Sequence, residues 1–306
     1  MKFRAHETFF IRKGWLHKGI KNIGEAPDVF VKKDRNPVDI LGIGSNMVKS
    51  LRYWLQATGL TDEVIGTGEY KRKKVQYATA LAKEIFTADR YFEEIGTLFL
   101  VHYQLAKNKD NATAWYYFFN EFLLTEFQKE DFINALQNYA KINSGETPAV
   151  GSLEDDFNCL INTYVLRKKL NPSRVNPESN IECPLDELGL IEISDNSNPK
   201  DRTFRKATPK LNTIDPHIFM AILVDINNKK EGSQIDEIRI ADLLAADNVG
   251  RIFNLDIVSL SRMLEILAKL EWISIIRTAG LDVIKIKDKR SFLDWVKAYY
   301  ASLNGK

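Results

Sequence analysis

The sequence predicts a mainly α-helical protein with small β wings, in which N- and C-terminal winged helix-turn-helix modules surround a helical middle region. Two observations support this prediction. Apolar residues recur at helical spacing through most of the 306 residues, and near each end helical stretches are followed by two strand-like stretches. We expect a basic winged-helix-like domain at 1–90, an acidic helical bundle at 91–170, an irregular connecting region at 171–214 and a winged-helix-like domain at 215–306.

The first ninety residues contain signals for several elements. Residues 3–11 alternate loosely between apolar and polar types, which predicts a strand. Residues 15–23 form the first predicted helix, and the Asn-Pro pair at 36–37 favours the start of a short second helix. Ser45 is a good N-cap for a third helix, which Gly59 would end.

The third predicted helix has the two faces of a DNA-recognition helix. Its apolar face is formed by Met47, Val48, Leu51 and Leu55. Its polar face presents Asn46, Lys49, Ser50, Arg52 and Gln56. Arg52 suits a guanine edge and Asn46 an adenine edge, and each such contact contributes about 1 to 3 kcal/mol of discrimination. The alternative is that this helix packs on a partner protein and that its polar face is solvated.

A basic run follows the third helix, where a β-wing would lie. Residues 64–79 contain four consecutive cations, Lys71, Arg72, Lys73 and Lys74. These cations and Lys49 suit contacts with phosphates. Arg12 and Lys13, which precede the first helix, are further candidates for DNA contact. We therefore predict that the N-terminal domain binds duplex DNA.

Charge is segregated along the sequence. Residues 1–83 contain 16 Lys or Arg and 8 Asp or Glu, a net charge of +8, whereas residues 84–160 contain 5 and 13, a net charge of −8. This distribution favours a basic module that faces DNA beside an acidic module that faces another partner. The alternative is that both blocks are solvated surface.

Helical stretches rich in aromatic residues fill the middle of the chain. Helices are predicted at 97–106, 112–124 and 130–142, and the second of them should be buried on most faces. The alternative for this second stretch is a stacking platform for single-stranded nucleic acid. A fourth helix is predicted to begin at Ser152, which would form a capping box with Asp155.

The C-terminal part repeats the opening pattern. Helices are predicted at 215–227, 237–245 and 256–272, followed by a hairpin of two strands around Ala279 and Gly280 and by a closing amphipathic helix. The third of these helices has a weaker cationic face than its N-terminal counterpart. Contact with protein and contact with DNA are therefore both open for this module.

Several classes of protein receive no support. The cysteines, Cys159 and Cys183, lack the spacing of a zinc site or a disulfide framework, and no run approaches the roughly 18 apolar residues of a membrane span. The sequence has no P-loop, GxGxxG, HExxH or GxSxG motif for NTP, dinucleotide or common hydrolase chemistry. We expect a cytoplasmic protein that does not contact the membrane.

Cleavage of a phosphodiester would require a metal held by carboxylates, or a nucleophile with acid and base assistance. Glu154, Asp155 and Asp156 could bind Mg²⁺ or Mn²⁺, but acidic residues also suit the first turn of a helix. Asp156 is the catalytic candidate among them. His6 and Glu7 are further catalytic candidates, although a strand would direct them to opposite faces. Their alternative role is structural, or the positioning of DNA.

Six motifs lie in order within residues 3–192. They are HETFFIRKGWLHKG at 6–19, GIGSNMVKSLRYWLQATGL at 42–60, GTLFLVHYQLA at 96–106, ATAWYYFFNEF at 112–122, EDDFNCLINTY at 154–164 and CPLDELGLI at 183–191. Together they resemble a bacterial family of formerly unknown function, which includes the phosphorothioation-associated DNA-nicking protein SspB.

The resemblance implies a DNA-binding component of a bacterial DNA phosphorothioate (sulfur) modification and defence system. Such a component would act as a nickase beside a cysteine desulfurase, an ATPase and an ATP-pyrophosphatase. The resemblance supplies no agreed catalytic set, so it assigns no catalytic residue here. Two alternatives stay open: a non-catalytic DNA-binding adaptor or transcription regulator, and a scaffold for sulfur-transfer enzymes.

Overall fold

The computed structural model describes residues 1–32, 34–165, 182–194, 202–231, 237–278 and 281–303. In these ranges the protein is mainly helical with small antiparallel sheets, which confirms the general fold class expected from the sequence. No helix in this part of the chain has the length and apolar character needed to cross a bilayer. The two cysteines, Cys159 and Cys183, are buried free thiols.

The described part of the N-terminal region contains four α-helices, one hairpin and a 3₁₀ turn at Gly68–Tyr70 between its strands. Its elements are α1 (Trp15–Glu25), α2 (Pro37–Leu41), α3 (Ser45–Ala57), β1 (Thr61–Ile65), β2 (Lys74–Ala78) and α4 (Ala80–Ala88). The predicted start of the second helix is confirmed, because the Asn36 side chain accepts a hydrogen bond from the Val38 amide. Gly59 follows α3 with φ of 63°, a conformation that glycine adopts readily.

Two predictions in this region are wrong. Instead of the predicted strand at 3–11, residues 4–8 form a bend and turns and residues 9–11 have no regular secondary structure, because the segment packs across α3 and pairs with no strand in the part of the chain that the structure describes. The Phe9 carbonyl accepts hydrogen bonds from Ser50 and Trp54 of α3. Ser45 is the first residue of α3 rather than its cap, and the cap position is held by Gly44, whose backbone is extended.

The middle region contains α5 (Ile95–Ala106), α6 (Thr113–Tyr116), a π-helix (Tyr117–Glu121), α7 (Lys129–Ser144) and α8 (Val150–Tyr164). Residues 112–120 are all buried, as predicted for the aromatic stretch, but the helix changes to π geometry and ends at Glu121. The Lys206 ammonium lies at this end and donates to the carbonyls of Phe118 and Phe122, both at 2.6 Å. Burial lowers the pKa of Lys206 to about 7.

The predicted capping box at the start of α8 is wrong. This helix begins two residues earlier, at Val150, and the Ala149 carbonyl accepts hydrogen bonds from the amides of Ser152 and Leu153. Ser152 therefore lies inside the helix. The three acidic residues at 154–156 follow in the second turn, where they are not capping residues.

The connecting region contributes strands to the middle of the protein. A 3₁₀ turn at Pro184–Leu188 leads to β4 (Ile191–Ile193), which pairs with β5 (Phe204–Lys206). β5 also pairs with β3 (Glu126–Phe127), so the strand order is β3-β5-β4. Residues 171–181 and 195–201 of the predicted irregular region lie outside the described part of the chain.

The C-terminal region forms a second mixed unit. Its elements are α9 (Pro216–Glu231), β6 (Glu237–Arg239), α10 (Val249–Ile252), α11 (Ile257–Lys269), β7 (Ile273–Thr278), β8 (Leu281–Ile286) and α12 (Phe292–Leu303). The helix predicted at 237–245 is wrong, because Ile238 is buried opposite Ile284 in a strand pair and only a 3₁₀ turn follows. The predicted hairpin is confirmed by the pairing of β7 with β8, while Ala279 and Gly280 lie outside the described residues.

Buried contacts join the three regions. His102 on α5 donates through Nε2 to the Ile252 carbonyl at 2.7 Å, and its Nδ1 lies 2.8 Å from the Tyr164 hydroxyl. The Gly96 amide donates to the hydroxyl of Tyr299 on α12 at 3.1 Å. The buried apolar cluster extends from Ile11 to Tyr300. The division of the chain into four stretches with boundaries at 90, 170 and 214 stays a prediction.

Candidate nucleic-acid interface

The accessible side of α3 is narrower than the predicted polar face. Asn46 and Lys49 are exposed, and Arg52 and Gln56 are half-buried along the same helix face. Ser50 does not belong to this face. It is fully buried on the other side of the helix, where its hydroxyl donates to the Phe9 carbonyl at 3.3 Å.

Glu63 of β1 connects α3 to the hairpin. Its Oε2 lies 2.8 Å from Arg52 Nε and 2.7 Å from Arg52 Nη2. Gln76 of β2 donates to the Arg52 carbonyl at 3.1 Å, so the hairpin contacts the main chain of α3 as well. The sequence interpretation missed Glu63, and the only available signal was an acidic residue close to the basic run.

Strand register places Lys74, the last of the four consecutive cations, on the side of the hairpin that faces α3. Glu63 pairs with Gln76, and Ile65 pairs with Lys74, so these four side chains share the face that meets α3. Lys74 Nζ lies 3.9 Å from Glu63 Oε1 on that face. We call the set Asn46, Lys49, Arg52, Gln56, Glu63 and Lys74 the α3–hairpin surface.

Lys73 lies on the other side of the hairpin. Its ammonium donates to Oδ2 of the buried Asp28 at 2.7 Å, and this hydrogen bond raises the pKa of Lys73. Lys71 and Arg72 are exposed in the turn between the strands, where Arg72 has a φ of 66°. The structure therefore brings Lys74 together with the predicted α3 residues, places Lys71 and Arg72 at the tip and directs Lys73 away.

Arg12 and Lys13 lie in the loop before α1. The Arg12 guanidinium packs over the rings of Phe9 and Trp15, at 5.4 and 5.2 Å from the ring centroids. Lys13 is exposed, and its amide donates to the Glu182 carbonyl at 3.3 Å. Their predicted contact with DNA stays a prediction.

His6 and Asp156 form a buried pair. The His6 Nε2 lies 2.7 Å from Asp156 Oδ1, and the Thr8 amide donates to His6 Nδ1 at 3.1 Å, so Nε2 carries the proton of this hydrogen bond. Both side chains are at least 98% buried, and burial raises the pKa of the Asp156 carboxyl, opposed by the hydrogen bond from His6. In this arrangement neither group can reach a phosphate, which favours the structural alternative for His6.

The other catalytic candidates point in different directions. Glu7 follows His6 in a turn with φ of 51°, so the two residues do not alternate across a strand as expected. Glu154 pairs with Lys129 at 2.9 Å, and Asp155 pairs with Arg4 at 2.7 Å. Successive helical positions diverge by about 100°, so Glu154, Asp155 and Asp156 do not converge on one ion.

These carboxylates therefore do not fit a Mg²⁺ or Mn²⁺ site. Magnesium requires oxygen ligands in near-octahedral geometry around one point, and each of the three carboxylates is engaged elsewhere. Across the residues that the structure describes, no group of three or more His, Cys, Asp or Glu side chains is arranged to hold a metal ion.

Comparison with known proteins identifies the family. The fold and the arrangement of its side chains define a class of protein: a mainly helical protein with a basic α3–hairpin surface. The chain belongs to the family described as "Protein of unknown function (DUF4007)", whose model matches residues 3–300. No curated protein matches the chain.

Two solved structures have the same fold. The chain is similar to the structure named "SspB crystal structure", with a TM-score of 0.82 and 24% identity over 100% of this chain and 89% of that chain. It is also similar to "Magnesium ion-bound SspB crystal structure", with a TM-score of 0.80 and 24% identity over 99% of this chain and 95% of the other. The predicted resemblance to the family that includes SspB is confirmed.

Proposed function

We propose that this protein is the DNA-binding component of a bacterial DNA phosphorothioate modification system, and that it binds duplex DNA in the cytoplasm through the α3–hairpin surface. The observation that carries the proposal is the convergence of Asn46, Lys49, Arg52 and Lys74 on one side of the N-terminal region. Family membership and the fold shared with SspB support the sulfur-modification context.

The order of elements supports a winged-helix interpretation of both ends. In the N-terminal region α2 and α3 are followed by the β1–β2 hairpin, and in this interpretation α3 enters the major groove while the hairpin lies along a phosphate backbone. The C-terminal order of α9, β6, α10, α11 and the β7–β8 hairpin is consistent with the same module.

The C-terminal module suits protein contact better than DNA contact. Ile257 and Val258, at the start of α11, expose about half of their surface, at 52% and 53%. Large apolar side chains exposed side by side are more typical of a protein interface than of a phosphate-binding surface. We propose that this module and the acidic middle region face protein partners, for which the cysteine desulfurase, ATPase or ATP-pyrophosphatase of such a system are the candidates.

Glu63 has a specific role in the proposal. The ion pair is largely shielded from solvent, with 25% of the Arg52 side chain and 17% of the Glu63 side chain exposed. Glu63 holds the guanidinium beside Gln76 and limits its rotamers. Arg52 is therefore presented to the groove in an ordered form.

A salt titration of duplex DNA binding tests the proposal. Four cations on or beside the α3–hairpin surface are available for phosphates: Lys49, Lys71, Arg72 and Lys74. If all four neutralise phosphates, log affinity should fall with log salt at a slope of about −3.6. A slope near zero would contradict DNA binding by this surface.

Lys49→Ala sharpens the test, and Lys141→Ala is its matched control. Both lysines are exposed on helices, but Lys141 lies on α7 in the acidic middle region. Removing one phosphate contact should reduce the slope by about 1 and weaken binding about eightfold at 0.1 M salt, whatever the DNA sequence. The control should retain the wild-type slope. If the two variants have the same salt slope and the same DNA affinity, DNA does not bind at Lys49 on the α3–hairpin surface.

A second candidate function is a non-catalytic DNA-binding adaptor. Two observations favour it: His6 and Asp156 are buried, and the neighbouring carboxylates point in different directions. Plasmid relaxation distinguishes the two candidates. If the protein relaxes supercoiled DNA in the presence of Mg²⁺ or Mn²⁺, and EDTA abolishes this activity, the protein is a nickase. Intact supercoiled DNA, together with the expected salt slope, would establish the adaptor.

A further inference from the structure

Residues 2–11, which we call the N-terminal strap, cross the side of α3 that faces away from the proposed DNA. The Phe9 carbonyl accepts hydrogen bonds from Ser50 Oγ at 3.3 Å and from Trp54 Nε1 at 2.8 Å. With 3.6 residues per turn, Ser50 and Trp54 lie roughly opposite the face formed by Lys49, Arg52 and Gln56. The strap therefore packs on the side of α3 opposite the proposed DNA-binding face.

The other end of the strap is anchored on α8. One oxygen, Asp156 Oδ1, accepts hydrogen bonds from His6 Nε2 at 2.7 Å and from the Arg4 amide at 2.9 Å. The His6 ring in turn stacks on the Trp54 indole, with 6.1 Å between centroids and 17° between planes. A continuous series of buried contacts thus runs from Asp156 through His6 to α3.

The backbone of the strap is held in a conformation that it would not adopt alone. Arg4, Glu7 and Thr8 have φ of 57°, 51° and 66°, in the left-handed region that disfavours side chains with a Cβ. Such residues persist only where surrounding contacts determine the backbone. Release of the contact with Asp156 should let these residues return to ordinary backbone conformations and loosen the support of α3.

We propose that Asp156 and His6 are positioning residues for DNA binding, which fix the orientation of α3 through the N-terminal strap without touching DNA. This inference rests on the proposed function, because it assumes that α3 contacts DNA. It gives the buried pair a role that explains why two ionisable side chains lie among Trp54, Trp115 and Tyr53.

Two substitutions of Asp156 test the inference. Asp156→Ala removes the acceptor of both hydrogen bonds and should weaken duplex DNA binding about tenfold. The salt slope should stay at its wild-type value, because every phosphate-facing cation remains. Asp156→Asn keeps one acceptor oxygen and should recover most of the lost affinity.

Hydrogen exchange supplies a local readout that a general loss of stability would not reproduce. In Asp156→Ala the amides of α3 should exchange faster, while those of α12 should keep their protection. Asp155→Ala is the control, because it removes only the partly exposed ion pair with Arg4 and should leave both DNA affinity and α3 exchange within twofold of wild type. Should Asp156→Ala fail to fold, His6→Phe keeps the ring packing, removes the donor and carries the same expectation.

The inference is overturned if Asp156→Ala binds DNA like the wild type, if Asp156→Asn loses as much affinity as Asp156→Ala, or if α3 exchange is unchanged. Failure of the proposed function looks different. In that case the wild type itself shows no salt-dependent DNA binding, and α3 exchange in Asp156→Ala still decides whether the strap positions the helix.

Discussion

Between pH 6.5 and pH 4 the protein is expected to lose roughly 3 kcal/mol of its free energy of unfolding through His102 alone. Burial lowers the pKa of this histidine from 6.5 to about 4, and the hydrogen bond to the Ile252 carbonyl acts in the opposite direction. In the unfolded chain His102 is protonated below about pH 6.5, whereas in the folded protein it is protonated only below about pH 4. Acid therefore favours the unfolded state throughout this window, and the contribution of His102 is complete above pH 6.5.

Urea unfolding at several pH values measures this effect, with His102→Gln as the comparison. The amide can replace one of the two hydrogen bonds and does not titrate, so the variant should be less stable at pH 7 and should lose less stability on acidification. Other ionisable groups are common to both proteins and cancel in the difference. Parallel stability curves from pH 7 to pH 4 would show that His102 does not titrate as expected.

Gly96→Ala is expected to cost about 2 kcal/mol or more of the free energy of unfolding, by overpacking. A Cβ on Gly96 would lie 2.6 Å from the Tyr299 hydroxyl oxygen and 2.7 Å from its ring carbon Cε1. Tyr299 is 2% exposed and accepts the hydrogen bond of the Gly96 amide, so it cannot move aside without losing that bond. The substitution should therefore separate α5 from α12.

Gly151→Ala is a matched control for this prediction. Gly151 is also the second residue of its helix, α8, and nothing lies within 4 Å of the position that its Cβ would occupy. Alanine is the better helix former by about 0.5 to 1 kcal/mol, so this variant should be slightly more stable than the wild type. Thermal or urea unfolding that shifts both variants in the same direction would contradict the role given to Tyr299.

Local signals predicted most helices of this protein, and tertiary contacts decided the exceptions. Periodicity and the Asn36 cap were sufficient for the helices of the N-terminal region, because their buried faces and starts are encoded within a few residues. The segment around Ile238 was predicted as helix, since its strand partner at Ile284 lies 46 residues away. The strap was predicted as a strand because apolar and polar residues alternate along it, but its main chain bonds to Ser50 and Trp54 of α3 instead.

The sequence predicted only the part of the candidate site that lies on a single helix, α3. The spacing of Asn46, Lys49 and Arg52 places them on one side of α3 whatever the rest of the fold. The ion pair of Arg52 with Glu63 required the position of the hairpin relative to α3. The contact between His6 and Asp156 joins residues 150 positions apart, so spacing along the chain could not show that these two candidates belong together.

The opposite directions of Lys73 and Lys74 affect how sequences of this family are compared. Lys73 directly precedes β2 and contacts Asp28, whereas Lys74 begins the strand and faces α3, because successive side chains of extended backbone point to opposite sides. A homologue whose turn is one residue longer or shorter would exchange these two roles while keeping the same count of basic residues. Alignments should therefore be anchored on the partners, an acidic residue like Glu63 and a buried one like Asp28, rather than on the basic run itself.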